Sequence, residues 1–545
     1  MTTWPSVDKW DELNAQVGGR LIKKPVAPWA DLAPGPVPAN LVNPWYLEEQ
    51  PGATQSTGMY KAWVSEPSSY AVAAETVSDV VAAVNFAREN NVRLVVKGTG
   101  HDYYGRSSAP DSLLIWTHNM REITVHTAFH PEGAPLDFVG VPAISTSAGN
   151  RWLEAYKAAT DAGRFIQGGG CTSVGACGGF ALGGGFGSFS KKFGSGAAGV
   201  IELEVVTANG EVLIVNKYQN PDLFWALRGG GGGTFGVVTR MTLLSHDIPT
   251  IDGWVSGTLA ANSDETYVEL IELYLSFVAA SLTNEVWGEG VTFLKGQNKI
   301  EVGTSFLDVS KETAEETWSE FLSVLQSRPD DFVVNVNFSA QPFVNKWNPA
   351  GKSGVIMDDR PEALDGYFWW KGNAVEVGAY WGGYQGHGLP LEKLQNNPAE
   401  LAEALFNASR TSLILLQTNK ALAGEPEEAR KRDETTSINP SVFNNAAFVT
   451  LADWVQNKYV GIAGHEPDEA LAEEQFDGVN KAMGYITAVT PDGGSYSNEG
   501  YYFEEDWQEQ FWGSNYPQLL EVKKKYDPTN LFHVHHGVGS ELVKA

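Results

Sequence analysis

The chain has 545 residues, too many for one ordinary core of about 100–200 residues, so two or three domains are expected. Its 38 Lys and Arg against 66 Asp and Glu give a formal net charge of −28, which disfavours nucleic acid and anionic membrane as partners and favours a small-molecule substrate that is neutral or cationic. No apolar run reaches the roughly 18 residues that span a bilayer, two cysteines exclude a disulfide framework, and the opening segment lacks signal-peptide character, so a cytoplasmic and a secreted, processed chain both stay open.

In chain order, residues 1–65 are punctuated by Pro and Trp, with one short helix expected over 6–17. "AETVSDVVAAVNFARENN" then repeats Val77, Val80, Val81, Val84 and Ala87 at helical spacing, with Thr76 placed to cap it. "VRLVVKG" and "DSLLIWTH" read as short buried strands, and "WLEAYKAATDAG" as an amphipathic helix ending at Gly163. "GVIELEVVTANGEVLIVN" is a hairpin turning at 208–211, where Asn-Gly suits a type I′ turn, and "FGVVTRMTLLS" adds a strand. From about residue 246 long helices at 263–281 and 310–327 alternate with strands at 296–306, 332–339 and 412–418. A last helix over 515–526 stops at Asp527-Pro528. The expected division is 1–245, 246–490 and 491–545.

Three glycine-rich segments carry the chemistry. In "VVKGTGHDYYGRSS", residues 95–108, a strand runs into Gly98-Thr99-Gly100-His101 and leaves amides free to nest an anion such as a pyrophosphate. The glycine spacing is not a Rossmann fingerprint, and a plain strand-end turn is the competing reading. In "GGGCTSVGACGGFALGGGFGSFSKKFG", residues 168–194, glycines flank Cys171 and Cys177 and alternate with Phe180, Leu182, Phe186 and Phe189. Glycine in regular structure costs about 0.5–1 kcal/mol per site relative to Ala, so this density implies backbone pressed against a large flat ligand rather than a flexible linker. "LFWALRGGGGGTFGVVTRMTL", residues 223–243, sets five glycines between a helix and a strand; a mobile surface loop is the competing reading there.

Taken in order with "NYPQLLEVKKKYDPTNLFHVHHGVGS", these motifs resemble the vanillyl-alcohol-oxidase type of FAD-linked oxidase, and within it the berberine-bridge-enzyme-like subgroup of fungal type. The resemblance covers about 55–245 and 490–541. It implies an α+β, two-lobed FAD-binding fold: 1–245 and 491–545 form the cofactor domain, and 246–490 forms a substrate-binding domain built on a large antiparallel sheet. It also implies covalent FAD, with His101 bonded to the flavin 8α-methyl carbon and Cys171 to flavin C6; a neutral imidazole and a thiolate are suitable nucleophiles. The further cofactor contacts it implies are Gly98, Thr99, Gly100, Asp102, Gly175, Gly179, Gly184, Gly185, Gly236, Val238 and Asn515. Cys177 has no matching role and reads as packing.

The implied activity is transfer of hydride from an alcohol or carbohydrate-type substrate to flavin N5, with dioxygen reduced to hydrogen peroxide by a monomeric enzyme. Oxidative cyclisation of a secondary metabolite, a flavin dehydrogenase with another acceptor, and a carrier that has lost turnover are the alternatives. Some relatives place a Tyr in the segment matching "KKFG", where this chain has Phe193, so no tyrosinate can form there. Glu499, in "SYSNEGYYF", is the first choice for base or substrate contact, because burial tunes a carboxylate toward neutral pH; a solvated loop Glu is the competing reading. Asp453, in "FVTLADWV", comes second: on a strand, Val449, Leu451 and Asp453 share one face, although a strand end beside solvent fits it better. Tyr496 and Tyr501 add hydroxyls. Trp369, Trp370, Tyr380 and Trp381 read as sheet core before a substrate platform. No metal site is expected, since His533, His535 and His536 lack a completing ligand.

Overall fold

Three large sheets carry the architecture in the computed structural model, which describes residues 4–543. The first has four strands in the order Leu21–Lys23, Tyr70–Ala73, Ser112–Trp116 and Arg93–Lys97, the last three mutually parallel. Ser112–Trp116 is buried along its whole length, as expected of a parallel strand covered on both faces. The helix Val77–Asn90 starts at a capping box, in which the Thr76 hydroxyl takes the Asp79 amide (3.3 Å) and the Asp79 carboxylate takes the Thr76 amide (3.0 Å).

The second sheet is antiparallel, in the order Val212–Asn216, Val200–Val206, Val237–Leu244, Val141–Ser147 and Ile123–Phe129. Its hairpin turn corrects the type I′ expectation. The Gly210 amide bonds the Thr207 carbonyl at 2.9 Å, and within the turn only Gly210 has positive φ (81°). A type I′ turn needs positive φ at both central residues, so this is a type I turn followed by a left-handed glycine. Both sheets pack on one shared core with the helices Val77–Asn90 and Trp152–Asp161.

The third sheet has nine strands, in the order Phe332–Pro342, Ile251–Ala261, Lys299–Leu307, Trp287–Phe293, Leu413–Gln417, Asn445–Gln456, Ala379–Pro390, Gly58–Met59 and Trp63–Val64. All its ladders are antiparallel except that of Gly58–Met59 with Ala379–Pro390, so the N-terminal segment supplies the edge. The helices Asp264–Phe277, Lys311–Gln326, Pro398–Ser409 and Glu469–Val489 cover one face, where Tyr274, Trp318, Leu405 and Met483 pack with Phe306, Ile414, Val449 and Leu451. Because strand side chains alternate, Thr450, Ala452 and Trp454 point the other way, into a cavity shared with the first two sheets. Among the described residues no helix is long and apolar enough to cross a membrane.

Candidate active site

A cavity of about 1120 Å³ lies between the glycine motifs and the open face of the nine-stranded sheet. It exceeds the ~300–1,000 Å³ of an ordinary ligand pocket, so it has room for two bodies, a cofactor and a substrate.

The first wall is the strand end after Arg93–Lys97. Gly98, Thr99, Gly100, His101 and Asp102 all line the cavity. Gly100 holds φ at 80°, and a Cβ there would sit 3.3 Å from Thr54 Cα, so the turn admits little but glycine. Lys97 fixes it from below: its buried ammonium donates to the carbonyls of Gln50 (3.0 Å), Pro51 (2.8 Å) and Ala53 (2.7 Å). Asp102 spends its carboxylate on its own turn, accepting the amides of Tyr104 (2.9 Å) and Arg106 (2.8 Å) and the Arg106 guanidinium (2.6 Å).

The second wall is the segment around Cys171, lined by Cys171, Gly175, Cys177 and Gly179. Gly175 donates its amide to Thr99 Oγ1 at 3.1 Å, tying the two motifs together. A Cβ on Gly170 or Gly179 would meet nothing within 4 Å, so backbone borders open cavity there. His101 and Cys171 converge on one hydroxyl: Ser173 Oγ lies 3.0 Å from His101 Nε2 and 3.6 Å from Cys171 Sγ. His101 Nδ1 is buried without a partner among the described residues. Burial pushes the imidazole down to about 3, so it stays neutral, and pushes the Cys171 thiol up to about 12, helped by the charge of Glu376. Sequence reasoning expected a ready thiolate; desolvation instead keeps the proton on sulfur.

Gly236 and Val238 also line the cavity. Three expected contacts lie elsewhere. Gly184 and Gly185 are outside the lining; a Cβ on Gly185 would strike the Phe180 ring at 2.5 Å, so that glycine serves packing. Asn515 is also outside the lining, and its Nδ2 donates to the Ile438 carbonyl at 2.8 Å.

On the sheet side, Glu499 lines the cavity and forms an ion pair with Lys420. Tyr496 lines it too, but its hydroxyl accepts from the Gly185 amide (3.2 Å) and Asn498 Nδ2 (2.8 Å), and burial pushes it far up. Asp453 is placed away from the cavity. It shares the face of Val449 and Leu451, which packs on the helices, and pairs with Lys295 at 3.1 Å. Tyr501 is outside the lining, beside Phe503 (ring centroids 5.6 Å). Phe193 packs against Phe165 (4.5 Å) and His246 (4.7 Å). Of the four aromatics read as sheet core, Trp369 is buried in it, whereas Trp370 and Trp381 face the cavity and Tyr380 borders a separate cleft.

Sequence reading missed Ser173, Tyr103, Tyr384, Glu376 and Lys420. Tyr103 and Tyr384 stack at 4.7 Å over the cavity, and Glu376 ends the short helix Lys371–Glu376 that leads into the strand Ala379–Pro390.

Comparison with known proteins agrees with this geometry. Residues 68–216 match the family model described as FAD binding domain, and 495–539 match the one described as Berberine and berberine like. The FAD-linked oxidoreductase ZEB1 of Gibberella zeae is 32% identical, over 99% of this chain and 91% of its own length. The VAO-type flavoprotein oxidase VAO615 of Thermothelomyces thermophilus is 30% identical, over 99% and 92%. Among solved structures, the VAO-type flavoprotein MtVAO615 from Myceliophthora thermophila superposes with a TM-score of 0.78 at 26% identity, covering 99% of this chain and 96% of that one. Fold and site thus define an FAD-binding oxidoreductase. The chain belongs to the vanillyl-alcohol-oxidase-type, berberine-bridge-enzyme-like FAD-linked oxidoreductases.

The residues present fit the cofactor: an imidazole nitrogen buried without a partner among the described residues and glycines that open onto the cavity leave room and a reactive atom for a flat ring.

Proposed function

We propose that the chain is an oxidase that holds FAD through two bonds, from His101 and from Cys171, and oxidises an alcohol or carbohydrate-type carbinol with dioxygen, yielding hydrogen peroxide. The observation that carries this reading is the meeting of His101 and Cys171 at the Ser173 hydroxyl on one cavity wall, with His101 Nδ1 buried and unpaired. A 30% identical relative named as an oxidase supports dioxygen as the acceptor.

The turn 98–102, with Gly175, Gly179, Gly236 and Val238, holds the cofactor through backbone contact. Bound FAD supplies the two-electron acceptor, at flavin N5. The neutral imidazole of His101 offers a lone pair at any working pH, while Cys171 reacts only after losing its proton. Trp381, Tyr384 and Trp454 wall off the substrate side, and Glu499, held by Lys420, faces it as a fixed substrate contact.

The test is to mix holoenzyme with benzyl alcohol or D-cellobiose in air and follow oxygen and peroxide together. Peroxide equal to the oxygen consumed is expected. Turnover with a quinone dye but no oxygen uptake would replace the oxidase reading with a dehydrogenase.

A further inference from the structure

Five carboxylates stand on the cavity wall: Asp102, Asp252, Glu289, Glu376 and Glu499. Four are engaged. Asp102 is held by Arg106 at 2.6 Å, Asp252 by Lys346 at 2.5 Å, and Glu499 by Lys420, while Glu289 accepts from the Ser188 hydroxyl at 2.5 Å. The Glu376 carboxylate alone of the five has neither an ion pair nor a hydrogen-bond partner among the described residues. It lines the same cavity as the flavin anchor Cys171 and the substrate contact Glu499. Tyr103 lines the same wall, its ring clamped between Tyr384 (4.7 Å) and Trp381 (5.6 Å).

We propose that Glu376 is the catalytic base of the oxidation, accepting the substrate's hydroxyl proton, with Tyr103 as its positioning residue. The inference rests on the alcohol-oxidase reading above. The balance is complete without a further reactant: the hydroxyl proton goes to the Glu376 carboxylate, the carbinol hydrogen leaves with two electrons to FAD, C–O becomes C=O, and dioxygen is the final oxidant. A base of this kind must lose its own proton near working pH. Burial lifts Glu376 up to about 7, the charge of Glu499 lifts it further, and the Tyr103 hydroxyl, Lys420 and the Asn373 side chain pull it back. Tyr103 and Tyr384 are themselves pushed far up by burial, so both stay protonated and can only donate.

The experiment uses holoenzyme and the variants E376Q, E376D, E499Q and K420M. Infrared difference spectra of wild type against E376Q across pH 5–9 isolate one carboxyl, expected to titrate near 7. Its midpoint should fall in E499Q, which removes a like charge, and rise in K420M, which removes a cation. Anaerobic flavin reduction by benzyl alcohol or D-cellobiose should rise with pH through the same midpoint. In E376Q it should drop about 10²–10⁴-fold and lose that limb, with unchanged flavin absorbance; E376D should keep the limb at a reduced rate. If E376Q is reduced as fast as wild type with the same pH limb, the base assignment falls and the oxidase reading stands. If neither probe reduces wild type, the alcohol reading falls and takes the base with it.

Discussion

Ser173 sits between two side chains that ordinary burial would make unreactive toward each other. Its hydroxyl is the hydrogen bond that works against burial at Cys171, so Ser173→Ala leaves the thiol still harder to ionise. We expect Ser173→Ala to fold normally but to attach flavin at Cys171 several-fold more slowly, read as a longer-lived alkylatable thiol at that position in a time course. Attachment at the wild-type rate would remove Ser173 from the mechanism. His101 and Cys171 were legible in the sequence because a motif names them. Ser173 stood two residues from Cys171 with nothing to mark it, since only folding brings it to His101. Glu376 was hidden for a different reason: a single Glu within an aromatic run reads as solvated spacing until the strand after it is known to line a cavity.

Among the elements, glycines divide into two kinds that sequence cannot separate. Gly185 has φ at 76° and a Phe180 ring 2.5 Å from its Cβ direction, whereas Gly170 borders open cavity. Gly185→Ala should therefore cost about 1–3 kcal/mol of stability through backbone strain and overpacking, seen as a lower denaturant midpoint. Gly170→Ala should leave that midpoint within about 0.5 kcal/mol of wild type and instead reduce flavin incorporation. Equal stability losses in the two would contradict the division. The helices and strands with clean periodicity, such as Val77–Asn90 and Lys311–Gln326, were legible to within a residue or two. The strand Ala379–Pro390 was legible only at Tyr380 and Trp381, because "GGYQGHG" beyond them carries the punctuation of a loop. Its glycines exist for close approach: a Cβ on Gly382 or Gly383 would meet Gln475 at 2.3 Å or Val479 at 2.9 Å on the helix Glu469–Val489. For Asp453 the alternation was right and the strand-end reading fits better than the flavin-facing one, since periodicity fixes which residues share a face but not which face meets the cavity.

For the whole molecule, buried titratable groups set the pH dependence of stability. Burial lowers His101, His118 and His536 to about 3 and His246 to about 4, against an ordinary value of 6.5. Below pH 6.5 the unfolded chain takes up protons that the folded state refuses, so stability falls as pH drops toward 4. Glu376 and Glu48 are raised, to about 7 and about 8, so the folded state keeps protons that the unfolded chain has released, and stability also falls as pH rises from 4.5 to 8. Burial also lowers Lys97 and Lys191 to about 7, so above that pH the unfolded chain keeps protons that the folded state has released and these two groups make stability rise with pH up to about 10. His118→Gln should lessen the loss of thermal midpoint between pH 6.5 and 4 relative to wild type; an unchanged slope would contradict the burial of that imidazole. The central claim, that one cavity fastens FAD at both His101 and Cys171, is tested most directly by the intact mass and visible spectrum of the chain after acid denaturation. Colour and the mass of one FAD are expected to stay with wild type and with each of His101→Ala and Cys171→Ala, and to be lost only in the double variant. Flavin released from the denatured wild type would contradict it.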